Sequence, residues 1–383
     1  MANENLANAK RAKNDEFYTQ YQDIEKEIEA YLDYNANTFK EKVVYCNCDD
    51  PYESNFFKYF ALNFNKLGLK RLITTSYNPS PIANTELTLF PDYEVNPSKT
   101  KGRHKITANK FIINEVGDFD NNGEFNLSDV AKQLQVNKNN EWSPLKENGD
   151  FRSSECIELL KQSDIVVTNP PFSLFREFIK QLFDYDKKFL IIGSVNAITY
   201  KEIFPLIKNN KMWLGINNGA KVYQIPDYYS QNNTFKGQDG KKYAKMGNTC
   251  WFTNLEHGRR HQPLQLMTMN ENLRYSKHKE IIEKGYQKYD NYKAIEVPYV
   301  DAIPSDYTGI MGVPISFLDK YCPEQFEIIG SDYNIKEGLL PELINTEWKG
   351  KLDRGYINNK RIYTRIFIKH RKKYENNIKK LIV

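Results

Sequence analysis

The chain has 383 residues and a mass of 45.0 kDa, more than the roughly 100 to 200 residues of a typical domain, which predicts two domains, one with a sizeable core. Hydrophobic residues make up 40% and charged residues 27%, with mean hydropathy −0.69, and no run approaches the roughly 18 apolar residues of a membrane helix. A membrane partner is thereby excluded, and a soluble, cytoplasmic globular protein is expected. Lys+Arg 54 against Asp+Glu 49 gives a net +5, too slight to imply a polyanionic partner until the location of the excess is known. Cys46, Cys48, Cys156, Cys250 and Cys322 lack the paired spacings of a zinc site or a disulfide framework, so no metal is expected and the thiols read as reduced. Residues 1–13 are polar and basic with no apolar core, which argues against secretion.

Apolar residues recurring at a helical period predict a surface helix within residues 15–37. Residues 42–48, rich in β-branched and aromatic side chains and ended by Asp49-Asp50-Pro51, predict a buried strand. A helix over 54–67, closed by Gly68, and a strand over 71–75 follow. Strand, helix and strand with tight connections indicate a parallel α/β sheet. The unit recurs as a helix over 153–161, a strand over 164–168, a helix over 174–183 and a strand over 188–193. Between the two blocks, residues 78–149 read as a long insertion carrying strands near 86–90 and 110–115. Residues 212–215 and 249–253 read as a strand pair around a polar tip, and the composition shifts after Asn254 to short strands and basic loops. The domains are therefore drawn as 1–255 and 256–383.

The strongest chemical signal is Asp164-Ile-Val-Val-Thr-Asn169-Pro170-Pro171-Phe172, an apolar strand running into a proline turn and then a helix. An exocyclic amine on a nucleobase is a poor nucleophile, because its lone pair is delocalised into the ring, until acceptors on its hydrogens draw it toward tetrahedral geometry. Asn169 offers a side-chain carbonyl and Pro170 a backbone one. Neither proline has an N–H, so the turn presents carbonyls without competing donors. Phe172 supplies a flat face for a base taken out of the duplex. With the amine in line with a methyl sulfonium, positioning and electrostatics supply most of the rate.

Asn169 to Phe172 resembles the catalytic motif of amino methyltransferases that use S-adenosylmethionine. Asn14-Asp-Glu-Phe-Tyr-Thr-Gln20, Val44-Tyr-Cys-Asn-Cys-Asp-Asp-Pro51, Gly149-Asp-Phe-Arg-Ser153, Asn-Pro-Pro-Phe, Trp251-Phe-Thr253 and Gly312-Val-Pro-Ile-Ser-Phe317 together resemble the EcoRI-type adenine-specific DNA methyltransferase family. The resemblance implies a class I (Rossmann-like) methyltransferase sheet, mostly parallel and seven-stranded, with an insertion and a C-terminal mixed recognition domain. It also implies a monomer that acts on double-stranded DNA and shares its recognition sequence with a partner restriction endonuclease, with no stable complex between them.

Carried over by motif, Phe17, Tyr18 and Thr19 would wrap the methionine end of the cofactor. Asp49 or Asp50 would stand near its amino-acid moiety, with Pro51 to Asn55 replacing the usual glycine-rich turn. Asp150 and Phe151 would hold its adenine by hydrogen bond and stacking. Trp251 and Phe252 offer a second stacking face for the flipped base, although a core strand is the preferred reading of that pair.

Asp118 to Asp129 follows the calcium-loop pattern, with oxygen ligands at positions one, three, five and twelve and glycine at six. An EF-hand needs a helix on each side, and the preceding residues read as a strand, so an Asn-Gly turn is preferred. Asn-Pro-Pro motifs also serve methyltransferases acting on RNA or on protein glutamine. The latter prefer Tyr at the fourth position, and a basic second domain suits a nucleic acid better than a small peptide. A DNA-binding protein that has kept the fold without catalysis is disfavoured by the intact motif.

Divided at the proposed boundary, the charge is uneven. Residues 257–383 hold 22 Lys+Arg and 16 Asp+Glu, a net +6, and residues 360–383 alone carry nine basic residues against Glu375. Arg259, Arg260, Lys360, Arg361, Arg365, Lys369, Arg371, Lys372 and Lys373 are therefore the candidate DNA contacts.

Overall fold

Apolar runs without polar alternation need cover on both faces, which parallel strands under helices provide. The computed structural model describes residues 18–48, 54–76, 108–119, 122–123, 125–136, 139–225 and 233–371. The chain divides into two compact units, residues 1–197 with 215–255, and residues 198–214 with 256–383. The sequence reading placed 198–214 in the first domain. Within the second unit these residues meet Arg260, whose guanidinium lies 3.9 Å from the Trp213 ring centroid and donates to Asn210 Oδ1 at 3.0 Å.

The strands in the first half of the chain are β1 (Tyr18–Thr19), β2 (Val43–Cys46), β3 (Arg71–Thr75), β4 (Asn109–Ile113), β5 (Glu141–Pro144), β6 (Ile165–Thr168) and β7 (Lys188–Ser194). They are followed by β8 (Trp213–Leu214), β9 (Lys221–Gln224), β10 (Thr234–Lys236), β11 (Lys242–Met246) and β12 (Thr249–Thr253). Strands of the first unit are hydrogen-bonded in the order β5-β4-β3-β2-β6-β7-β12. The central four, β3, β2, β6 and β7, are parallel, whereas β4, β5 and β12 join antiparallel to their neighbours. The sheet is therefore mixed rather than mostly parallel. The stretch read as an insertion is the reason on one side: its second half supplies β4 and β5, which extend the sheet past β3. The strand expected near 86–90 lies outside the described residues.

Helices α1 (Tyr21–Tyr34), α2 (Asn55–Leu62), α3 (Leu127–Val136), α4 (Ser154–Gln162) and α5 (Phe175–Asp184) belong to this unit. Ser54 starts α2 by accepting from the Phe56 and Phe57 N–H groups, and Ser153 starts α4 by accepting from Cys156. The single helix expected over 54–67 is interrupted at Asn63, whose side chain donates to the Tyr59 carbonyl. It resumes for one turn and ends at Gly68 with φ 62°. The α3 helix was not expected at all. It shields the Asp118–Asp129 loop, where the Asp118 carboxylate accepts from Asn122 and Gly123 N–H and the Asp129 carboxylate from Phe119 and Asn126 N–H. The element before this loop is β4, so the geometry is a self-bonded turn between a strand and a helix.

A second sheet, β1-β9-β11-β10, pairs Thr19 with Tyr223. Beside it Glu27 of α1, 0% exposed, accepts from Tyr31 Oη and from the backbone N–H groups of Ile216 and Asn217. Its pKa is raised by burial, which these donors partly offset.

The second unit holds β13 (Ile295–Glu296), β14 (Met311–Pro314), β15 (Phe326–Ser331) and β18 (Arg365–His370) in the order β13-β14-β18-β15. A separate hairpin joins β16 (Tyr356–Ile357) to β17 (Lys360–Arg361). Tyr289, Tyr292, Leu340, Leu343 and Phe367 form the core beneath both. Within it Arg365 Nε donates to both Glu296 oxygens at 2.9 and 3.1 Å, and Tyr289 Oη donates to the same carboxylate. Asp332, the first residue of α6 (Asp332–Lys336) and 0% exposed, accepts from Arg365 N–H at 2.6 Å.

Burial pushes the Asp332 carboxyl up to about 7 from its ordinary 3.8. A raised acid favours the folded state while protonated, so its contribution is complete below the ordinary value and is lost as pH rises through about 7. Asp332→Asn keeps an acceptor and removes the titration. The thermal-unfolding difference between variant and wild type is therefore expected to move in the variant's favour between pH 5 and pH 8, and a constant difference would refute the assignment.

Candidate active site

The order β3-β2-β6-β7 means that the chain steps from β2 to β3 in one direction and from β6 to β7 in the other. Successive crossovers diverge between β2 and β6, and in open α/β sheets ligands bind outside the carboxyl ends of the strands at such a point. The two strand ends are joined there, for the Thr168 hydroxyl donates to the Asn47 carbonyl. Asn169, 9% exposed, follows directly on β6. Pro170 is buried, and Pro171 and Phe172 are half-buried, with Phe172 against the main core cluster. The Pro171 carbonyl accepts from Leu174 N–H at 2.9 Å and so starts the turn into α5.

Two further segments reach the same strand ends. The Thr19 carbonyl accepts from Asn55 Nδ2 at 2.7 Å, which fixes the end of β1 to the start of α2, the helix that follows β2. Thr19 is 3% exposed and Asn47 2%. Thr19 Oγ1 and Asn47 Oδ1 are buried without a hydrogen-bond partner among the described residues, an arrangement that costs stability unless a ligand or water completes it.

The other segment is Gly149-Asp150. Gly149 has φ 75°, and a Cβ there would fall 1.9 Å from the Ser76 carbonyl oxygen at the end of β3. The backbone therefore lies directly against the strand end, as only glycine permits. The Asp150 carboxylate accepts from Arg152 Nε, Nη2 and N–H at 2.9, 2.7 and 2.9 Å, and Arg152 Nη1 continues to Glu177 at 2.8 Å. Burial alone would raise the Asp150 pKa, but the Arg152 hydrogen bonds outweigh it and hold the carboxylate below its ordinary range. Asp150 is thus a fixed anion with about one lone-pair site, on Oδ2, still to spare.

Three of the expected aromatic residues are packed in the core. Phe151 is 4% exposed, packed edge-on to Phe178 at 5.0 Å, so its ring belongs to the core and is not a bare stacking face. Trp251 and Phe252 are 0% exposed core residues of β12, against Phe56 and Phe175 respectively. Tyr18 contributes its backbone to β1. Phe17, Asp49, Asp50, Lys372 and Lys373 lie outside the described residues. Asn47 and Asn55 fall within segments the sequence singles out and Ser76 ends a strand, but none carried an individual role, since neutral polar residues at strand ends form no distinctive pattern.

The basic residues divide into two groups. Arg260, 6% exposed, is stacked on Trp213, and Arg365, 8% exposed, is spent on Glu296. Arg371 Nε donates to the Pro323 and Phe326 carbonyls. Arg260 and Arg365 are thus engaged inside their unit, while Arg371 is intermediate in exposure. Lys360 and Arg361 are exposed, and Arg259 and Lys369 are intermediate.

A mixed α/β sheet with an Asn-Pro-Pro-Phe turn at its crossover point defines an amino-methyltransferase type of site. The chain matches the family described as "Adenine-specific methyltransferase EcoRI" over residues 5–371. It is 42% identical to "Type II methyltransferase M.EcoRI" of Escherichia coli, over 94% of this chain and 98% of that one. It is 36% identical to "Type II methyltransferase M.MpnI" of Mycoplasma pneumoniae, over 95% and 97%, and 38% identical to "Type II methyltransferase M.MgeORF184P" of Mycoplasma genitalium, over 94% and 97%. No solved structure matches. The chain belongs to the EcoRI family of adenine-specific methyltransferases. Among the described residues no helix is long and apolar enough to cross a membrane.

Gly149→Ala is expected to lower the unfolding free energy by about 2 to 4 kcal/mol, since both the positive φ and the Ser76 carbonyl oppose a Cβ. Urea denaturation measures it, and a change within about 0.5 kcal/mol would show that the strand end can give way.

Proposed function

We propose that the enzyme transfers a methyl group from S-adenosylmethionine to N6 of an adenine flipped out of a specific duplex sequence. It would act as a monomer and as the modification counterpart of a restriction endonuclease, without a stable complex between them. The observation that carries this reading is the Asn169-Pro-Pro-Phe turn on the end of β6, beside the Asn47 end of β2.

The residues present fit that cofactor. Thr19 Oγ1 and Asn47 Oδ1 are buried polar atoms awaiting partners, suited to the ammonium, carboxylate and hydroxyl groups of an amino-acid nucleoside. The close approach of Gly149 to the Ser76 carbonyl holds Asp150 at the end of β3, where its carboxylate can still accept from an adenine amine. Bound there, S-adenosylmethionine supplies a methyl sulfonium, an electrophile that an amine nitrogen can attack.

The chain's own part is to raise the nucleophilicity of the target amine. The Asn169 side-chain carbonyl would accept one N6 hydrogen and the Pro170 carbonyl the other, drawing the nitrogen lone pair out of conjugation. The Pro171 carbonyl is already committed to Leu174, which fixes the turn that presents them. Phe172, half-buried against the core, gives the base a rigid face. No general base is required at the transfer step, since a fixed orientation and a low-dielectric pocket lower the barrier.

Asn169→Ala is expected to reduce kcat by at least about a hundredfold, with cofactor affinity within about twofold of wild type. Labelled methyl transfer and calorimetry measure the two, and wild-type turnover would remove Asn169 from its role. Thr19→Val is expected to weaken cofactor binding about five- to tenfold, the loss of one hydrogen bond of about 1 kcal/mol, with no fall in Tm. If DNA of varied sequence acquires no N6-methyladenine while the cofactor binds, the assignment of substrate fails.

A further inference from the structure

The β16–β17 hairpin has features that the second unit's stability does not require. Its two connecting residues, Asn358 and Asn359, both have positive φ, 50° and 59°. That is the backbone of a type I′ turn, for which Asn-Gly is the preferred pair. Glycine would occupy the second position without strain, yet an asparagine stands there, and both side chains are exposed. The flanks are basic: residues 348–363 carry Lys349, Lys351, Arg354, Lys360 and Arg361 against Asp353 alone. Immediately beyond the hairpin, Tyr363 is 85% exposed, a large ring left in water where burial would ordinarily be favoured.

The hairpin is bonded to the rest of its unit at both its base and its turn. Asp290 N–H donates to the Tyr356 carbonyl, Asn359 N–H donates to the Asp290 carboxylate at 2.7 Å, and Tyr356 N–H donates to Asn291 Oδ1 at 2.9 Å. Ile357 and Ile362 pack on the Tyr289, Tyr292 and Phe367 core. A two-stranded ribbon ending in exposed amides, with cations along it, has the chemistry to read the DNA major groove, which at about 12 Å wide admits such a ribbon.

We propose that this hairpin is a base-reading element of the enzyme, an inference that rests on the duplex-DNA substrate proposed above. Asn358 and Asn359 meet base edges at the tip, and the side-chain amide of Asn359 presents the donor and acceptor pair that matches adenine N6 and N7. Lys360 and Arg361 lie along the phosphates, with Arg361 exchanging its present Asp353 partner, 2.7 Å away. Tyr363 packs its ring against the sugars or bases beside the groove.

Asn359→Gly separates recognition from folding, because glycine relaxes the turn while deleting the amide. Wild type, Asn359→Gly and Tyr363→Ala are each incubated with unmethylated genomic DNA, and the modified adenines are mapped by sequencing. kcat/KM is then measured on a duplex carrying the mapped site and on its single-base variants. Asn359→Gly is expected to keep or raise Tm and to keep cofactor affinity. It should lose about ten- to a hundredfold of discrimination at one A·T pair of the site. Tyr363→Ala is expected to raise KM for all duplexes alike. Discrimination by Asn359→Gly within twofold of wild type at every position, with wild type active, would overturn the hairpin assignment alone. A wild-type enzyme that marks no DNA would overturn the substrate reading and this inference together.

Discussion

The site depends on β2 and β6 being neighbours. Parallel pairing sets Val44 beside Ile165 and Tyr45 beside Val166, so the two strands end at the same level, and the Thr168 hydroxyl closes the gap by bonding the Asn47 carbonyl. Every residue assigned to cofactor or target is positioned from that junction. Asn169 continues β6, Asn47 continues β2, Thr19 is fixed to α2 just beyond β2, and Asp150 stands at the end of β3 one strand away. Thr19 Oγ1 and Asn47 Oδ1, buried and unpartnered among the described residues, are a cost that a bound ligand or water would remove.

The second unit shows how little net charge says about where charge works. Its excess suggests a surface for phosphates, but arginine is also the side chain best suited to satisfy several acceptors at once. Arg365 is spent on Glu296, Arg371 on two carbonyls, and Arg260 on a tryptophan face. Among the exposed cations, Lys349, Lys351, Lys360 and Arg361 lie at the β16–β17 hairpin and its flanks, where two adjacent asparagines have positive φ, and a further group runs from Arg274 to Lys293.

The βαβ framework was legible because buried strands leave continuous apolar runs and because Ser54, Gly68 and Ser153 mark helix ends. Asn-Pro-Pro-Phe was legible because its residue types are rare together and sit between a strand and a helix. What escaped was nonlocal. Nothing in 109–113 and 141–144 announces that they extend the sheet beyond β3, since the pairing of Phe111 with Trp142 is made across the α3 segment. The packing of Phe151 on Phe178 was hidden for a related reason: an aromatic beside a ligand and an aromatic beside another ring look alike until the helix carrying Phe178 is in place. Residues 198–214 meet Arg260, a partner some fifty positions away.

The Glu27 carboxylate is bonded to Asn217 across 190 positions of sequence, and Thr19 takes its strand partner from the same distant stretch. During synthesis α1 therefore emerges with a buried-type acid and an unpaired strand edge, and both wait for the β9 region to leave the ribosome. Contacts of such long range form late. A nascent chain that ends before β9 holds Thr19 by its Asn55 bond alone, and the strand pairing of β1 is added only when residues 221–224 are available.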